Sequence, residues 1–190
     1  EEFESIPESF ITKQWFSTPD SPNIGEVNGR IYLKPDSAEV IELLKSTVAE
    51  IIENYDVDGI HIDDYFYPTV SPDFDSKAFA ASGKSNLSRW RTENITNLVK
   101  FIYDTVKDGD ERLLFGISPQ GNINADYNSQ FADVKLWLAE DGYCDYMIPQ
   151  IYYGFEHETL PFIPTLQLWE GLPRSENVKL VIGLGAYKLG

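Results

Sequence analysis

Tyr55-Asp56-Val57-Asp58-Gly59-Ile60-His61-Ile62-Asp63-Asp64-Tyr65-Phe66-Tyr67-Pro68 begins as a strand and ends as an acidic, aromatic loop. Val57, Ile60 and Ile62 supply β-branched residues, and Gly59 leaves room for close approach by a neighbour. Side chains alternate across a strand, so Ile60 and Ile62 share one face while His61 and Asp63 share the other. An isoleucine face is readily covered by helices. A His and an Asp on the opposite face, followed by Asp64, Tyr65 and Tyr67, are costly to bury without a purpose. The stretch therefore reads as one strand of a helix-covered sheet and as the centre of an active site.

Working outward from it, the preceding segment predicts a helix that starts at Pro35-Asp36. Asp36 is the expected N-cap, with Glu39 completing a capping box. Val40, Leu44, Val48, Ile51 and Tyr55 recur at helical spacing toward a core. Further back, residues 18–30 are rich in Pro, Asn and Gly and read as a loop, residues 11–17 (ITKQWFS) as a short strand, and residues 1–9 as an irregular lead-in. Downstream, a polar loop to about Lys84 leads into a long helix over 87–107, with Leu87, Trp90, Ile95, Leu98, Ile102 and Val106 on its apolar side. Strands are expected over 113–118, 145–153 and 178–184, separated by helices over 128–140 (through Phe131, Val134 and Leu138) and 162–171. Trp90, Trp137 and Trp169 fall at core spacing.

Five strands separated by helical segments are the signature of a parallel sheet with crossover helices. A closed (β/α)8 barrel normally takes about 250 residues, and this chain has 190. Two architectures follow: an open doubly wound sheet, or part of a barrel. The length is that of a single domain, and 42% hydrophobic with 14% aromatic residues excludes disorder. A net charge of −16 argues against nucleic acid or anionic membrane as a partner. No apolar run approaches the roughly 20 residues of a membrane span. Cys144 stands alone, so there is no internal disulfide framework.

Binding groups of a parallel α/β protein collect at the carboxyl ends of its strands. In order, those ends offer Trp15 and Ser17; His61, Asp63, Asp64, Tyr65 and Tyr67; Ser118, Gln120 and Asn122; Gln150, Tyr152 and Tyr153; Gly185 and Tyr187. Aromatic rings, amides and carboxylates suit a carbohydrate, whose faces stack on rings and whose hydroxyls need both donors and acceptors. Asp63 is the principal catalytic candidate, as nucleophile or as stabiliser of an oxocarbenium-like transition state. Asp64 points the other way and would share the chemistry or orient a neighbour. His61 fits a substrate hydrogen bond, and Gln150 and Tyr152 fall on one face. The Asp pair lacks the His or Cys company of a transition-metal site, so no metal is assigned. With no phosphate loop, CxxC or GxSxG elbow, no cofactor is called for and nucleotide, redox and α/β-hydrolase chemistry drop out. The sequons at Asn86 and Asn94 carry little weight, and His157 has no evident partner.

The central string resembles the hallmark of the glycosyl hydrolase-like 10 family, where a very similar run ends the fourth barrel strand. Other pieces follow in matching order: Gln14-Trp15-Phe16; Trp90-Arg91 with Asn94; Phe115-Gly116-Ile117-Ser118-Pro119; Asp133 with Trp137; Asp145-Tyr146 with Pro149-Gln150-Ile151-Tyr152; and Gly183 with Tyr187. The resemblance implies a (β/α)8 TIM barrel of which residues 1–190 form one incomplete domain, about five units from the third to the seventh. It implies cleavage of glycan strands, with bacterial peptidoglycan as substrate, by hydrolysis or lytic transglycosylation, and an exported, cell-envelope or extracellular location. Gly59-Ile60-His61-Ile62-Asp63 is also similar to the fourth strand of the α-amylase clan, where the final Asp is the nucleophile. That clan's acid, a Glu ending the fifth strand, has no counterpart in Phe115-Gly116-Ile117-Ser118. Asp64, Glu156 or a residue of the missing units would supply it. The competing readings are a carbohydrate-binding barrel without catalysis and a metal-dependent hydrolase on an open sheet. An open barrel also leaves sheet edges that invite self-association.

Overall fold

Strand and helix alternate through most of the chain. The computed structural model describes residues 5–188, so residues 1–4 of the expected lead-in lie outside the described range. Helix α1 (Ile11–Ser17) is followed by the strands β1 (Ile24–Val27) and β2 (Arg30–Leu33), helix α2 (Ala38–Asn54) and strand β3 (Gly59–Ile62). Helices α3 (Ser76–Ser82) and α4 (Leu87–Gly109), strand β4 (Leu114–Ile117), and helices α5 (Ile123–Ser129) and α6 (Val134–Ala139) come next. Strand β5 (Tyr146–Met147), helix α7 (Phe162–Glu170) and strand β6 (Lys179–Leu180) complete the series. The strands β3-β4-β5-β6 form a four-stranded parallel sheet in sequence order, and β1-β2 form a separate antiparallel pair.

The sheet is covered on one face. Phe115, Ile117 and Met147 are wholly buried there, and Ile60 and Ile62 pack against the same cluster, as the strand parity of the opening stretch predicts. Helix α4 contributes Ile95, Val99, Ile102 and Val106 to this core, and Trp137 and Trp169 are buried in it. Each indole finds an acceptor: Trp137 Nε1 donates to Thr96 Oγ1 at 3.2 Å and Trp169 Nε1 to the Gly121 carbonyl at 2.9 Å. The other face of the sheet carries His61, Gly116 and Tyr146 in one cross-strand row. His61 and, just past the end of β6, Val181 are exposed. Gly59 leaves no room for a side chain beside β4, since a Cβ there would lie 2.1 Å from the Leu114 carbonyl oxygen.

Several expectations are corrected. Residues 11–17 form a helix, not a strand, which leaves four parallel strands rather than five. Lys13 and Gln14 are good helix formers, and Thr18 closes the last turn by donating to the Gln14 carbonyl at 2.9 Å. The loop expected over 18–30 contains half of a hairpin, whose two-residue turn is Asn28-Gly29 with φ of 52° and 73°. Both positive angles match a type I′ turn, and Asn-Gly is its preferred sequence.

Asp36 does not cap α2. Ser37 does, its hydroxyl accepting the Val40 N–H at 3.4 Å while donating to Asn23 Oδ1. Glu39 accepts the Asn23 side-chain amide instead of closing a capping box, so the cap ties the preceding loop to the helix. Tyr55, expected to face the core, is 66% exposed. The loop after Pro68 contains α3. The helix expected over 128–140 is two helices, α5 and α6, broken where Phe131 adopts φ 55° to reach the core, and Asp133 restarts the helix by capping Leu136. Strands β5 and β6 are shorter than expected. Pro149 cannot donate, and pairing resumes only at the isolated bridges Gln120–Gln150 and Gln150–Gly183.

Candidate active site

The carboxyl end of β3 brings Asp63 to the open edge of the sheet. Asp63 is exposed, and its Oδ1 accepts the Asp64 N–H at 2.9 Å and the side-chain amide of Gln150. Gln150 Nε2 also donates to the Ser118 carbonyl at 3.1 Å, so the amide bridges the ends of β3 and β4. No Lys or Arg forms an ion pair with Asp63 or Asp64 among the described residues. Asp64 is half-buried, and that burial, reinforced by Asp63, raises its pKa above the ordinary carboxylate value. One carboxylate is thus presented to solvent and fixed by amides, while its neighbour retains a proton more readily.

The row of residues below Asp63 explains a glycine. His61 on β3 pairs in register with Gly116 on β4, and Gly116 with Tyr146 on β5. The Tyr146 ring lies across Gly116, where an added Cβ would meet ring carbons at 2.0 and 2.1 Å. It reaches His61, stacking at 5.6 Å between centroids and 16° between planes, with its hydroxyl 3.2 Å from Nδ1. Desolvation lowers the His61 pKa, and Asp63 opposes the shift. The imidazole therefore favours its neutral form, able to both donate and accept a hydrogen bond.

The remaining sequence-derived candidates divide. Tyr65 is 83% exposed with φ 74°, held by Gln130 Oε1, which accepts the N–H groups of Tyr65 at 2.9 Å and Phe66 at 3.2 Å. Tyr67 offers no stacking surface: it is 4% exposed, and its hydroxyl donates to Asp75 beneath the guanidinium of Arg91. Ser118 is buried and its hydroxyl donates to the Ile148 carbonyl at 2.8 Å, so its role is to join strand ends. Gln120 sits at the β4 end, bridging to Gln150. Trp15 lies on α1, which packs against β1, rather than at a strand end. Tyr152 and Tyr187 meet edge to face at 6.2 Å. Beside Tyr152 is a cleft of about 460 Å³ lined by Tyr153, Phe155, Phe162 and Lys188. Glu156 is exposed on the neighbouring loop.

Three residues of this region escape sequence reading. Tyr146 was legible in principle, because Gly116 opposite it has no side chain. Gln130 and Asp126 carry no such signal: Gln130 falls at the break between α5 and α6, and Asp126 in the part of α5 that precedes the expected helix. Asp126 is wholly buried; its Oδ1 accepts the Gln120 N–H at 3.1 Å and its Oδ2 has no partner. No three His, Cys, Asp or Glu side chains are grouped to hold a metal ion among the described residues.

An exposed carboxylate at a parallel strand end, flanked by amides, an imidazole and tyrosine rings, is chemistry suited to sugars, and known proteins point the same way. Over 187 residues, covering 87% of this chain and 36% of the relative, the sequence is 30% identical to the glycosyl hydrolase YngK of Bacillus subtilis. It is 32% identical over 180 residues to the glycosyl hydrolase DigH of Escherichia coli K12, covering 85% of this chain and 40% of that protein. The chain thus spans about two fifths of the length of these relatives. The glycosyl hydrolase-like 10 model matches residues 3–190, and the chain belongs to that family.

Proposed function

We propose that this chain carries the catalytic strand ends of a glycosidase that cleaves bacterial peptidoglycan glycan, with Asp63 as the catalytic carboxylate. A carbohydrate substrate follows from the family. The observation that carries the finer reading is the state of Asp63: exposed, immobilised by the Gln150 amide and the Asp64 N–H, and paired with no cation among the described residues. Such a carboxylate is free to stabilise or attack a developing oxocarbenium centre. His61, Tyr65, Gln120 and Tyr152 would contact the sugar, and Asp64 would hold a proton for the leaving oxygen. Lytic transglycosylation, which can work with one catalytic acid and the substrate's own hydroxyl, uses the same groups.

In this reading residues 1–190 form one domain, a set of consecutive units from an incomplete (β/α)8 barrel. The sequential parallel order of four strands and the polar groups at their carboxyl ends support it. The protein would act outside the cytoplasm, where its substrate lies. The edges left by β3 and β6 would favour self-association of the isolated chain, and size-exclusion chromatography giving a well-behaved monomer would count against that.

Asp63→Asn in the full-length protein is expected to reduce release of sugar fragments from purified sacculi by at least about a hundredfold, with an unchanged circular dichroism spectrum. Undiminished release would sink the assignment. A non-catalytic glycan-binding barrel is the second reading, favoured by one feature: the β4 end presents Ser118 rather than a carboxylate. A binding isotherm beside a reducing-end assay on the wild type separates the two.

A further inference from the structure

Solvent cannot reach the carboxyl group of Asp126. It stands on α5, immediately beyond the β4 end, with no exposed surface. An ionised carboxylate has about four lone-pair positions to fill, yet Oδ1 has the Gln120 N–H and Oδ2 has nothing. Two titratable groups act on it or feel it: Asp64 from the β3 loop and Tyr153 from beyond β5. Helix α6, packed against α5, brings Asp133, which caps Leu136, and Lys135, which is exposed. On α5 itself, Tyr127 is 46% exposed. None of these supplies a cation to Asp126. An unpaired carboxylate in such a place neutralises rather than remain charged.

We propose that Asp126 carries a proton in the working site and is a positioning residue, holding the Gln120 strand end and, through Gln150, the orientation of Asp63 for as long as it stays neutral. The connection is continuous. Asp126 accepts from Gln120, Gln120 bridges Gln150, and the Gln150 side chain donates to Asp63. Gly121, between Gln120 and α5, leaves no slack: an added Cβ would lie 2.6 Å from the Gln150 carbonyl oxygen. Burial, opposed by the Gln120 N–H and aided by Asp64, pushes the Asp126 pKa up to about 8. Above that pH a further negative charge joins Asp63 and Asp64 in a site where no ion pair to a cation is found among the described residues.

For its activity readout this inference rests on the glycosidase reading, but its first test does not. Carbon-13 carboxyl NMR of aspartate-labelled protein should show one carboxyl titrating near pH 8, absent from Asp126→Asn. No such signal, or its persistence in the variant, overturns the proposal whatever the enzyme does. Where sacculus cleavage is measurable, the wild-type rate should fall on the alkaline side and Asp126→Asn should lose that fall. The same alkaline fall in both proteins overturns the proposal. So does a folded variant that is inactive at neutral pH, because the Asp126 proton would then be transferred in the reaction. Wild-type protein that releases no sugar while the NMR titration is present defeats the glycosidase reading alone.

Discussion

Asp75 on the one hand, and Asp63, Asp64 and Asp126 on the other, sit in surroundings built on opposite principles. In one, Asp75 is buried and fully matched. Arg91 reaches it through Nε at 2.7 Å and Nη2 at 2.6 Å, Tyr67 donates its hydroxyl, and the same guanidinium donates to the Val70 and Ser71 carbonyls at 3.1 and 2.6 Å. Its flat faces lie 4.9 Å from the Tyr67 ring and 5.0 Å from that of Phe131. In the other, Asp63, Asp64 and Asp126 share a neighbourhood in which none of them pairs with a cation among the described residues. The first cluster fixes the shape of the loop. The second leaves charge and protons uncommitted, which is what acid–base and oxocarbenium chemistry require.

The largest effect should come from breaking the matched cluster. Arg91→Ala leaves Asp75 buried without its partner and two carbonyls unpaired, a loss of about 3–5 kcal/mol. Urea unfolding should read it as a lowered midpoint at unchanged slope. Arg91→Lys should not rescue it, because an ammonium cannot reproduce the fork geometry. A loss below about 1 kcal/mol would mean the cluster is no more than a surface pair.

The unmatched cluster should behave in the reverse sense. Burial raises the folded pKa of Asp126 from the ordinary carboxylate range to about 8. Its contribution to stability is therefore complete below about pH 4 and is lost as pH rises toward 8. Asp126→Asn removes this penalty, so the variant should be more stable than wild type near pH 7 by a few kcal/mol, up to about 4. The gap should close toward pH 4, and equal melting temperatures at both pH values would break the contrast with Asp75.

How much of this was legible in the sequence depends on distance along the chain. The Ile60/Ile62 and His61/Asp63 faces follow from strand parity alone. The core side of α4 follows from its period, although Val99 was passed over. What escaped was set by contacts between distant segments. Tyr67 looked like a partner for sugar because Asp75 and Arg91, 8 and 24 positions away in sequence, were not visible as its neighbours. Ser37 displaced Asp36 as the cap because Asn23 engages both Ser37 and Glu39. The Asn28-Gly29 turn is legible from its dipeptide alone, because Asn-Gly favours the positive φ angles it adopts. The positive φ of Phe131, which lies between α5 and α6, has no local signature in a bulky aromatic.

The smallest effect sharpens the comparison most. Tyr65 and Tyr67 are two residues apart, one 83% and the other 4% exposed. Tyr67 supports the matched cluster, and Tyr65 supports nothing visible in the fold. Yet Tyr65 is held at φ 74°, a conformation costing an aromatic residue about 1–2 kcal/mol. Gln130 keeps it there by accepting two successive backbone N–H groups, and those bonds need no tyrosine ring. Glycine adopts the same backbone without the steric penalty. Tyr65→Gly should therefore leave stability unchanged or raise it by up to about 1 kcal/mol while weakening glycan binding by about five- to tenfold, the worth of one aromatic stacking contact. Calorimetric binding of soluble glycan fragments, run beside thermal unfolding, measures both. Lost stability with unchanged binding would make Tyr65 a loop residue like Tyr67 and would remove the functional reason for its strain.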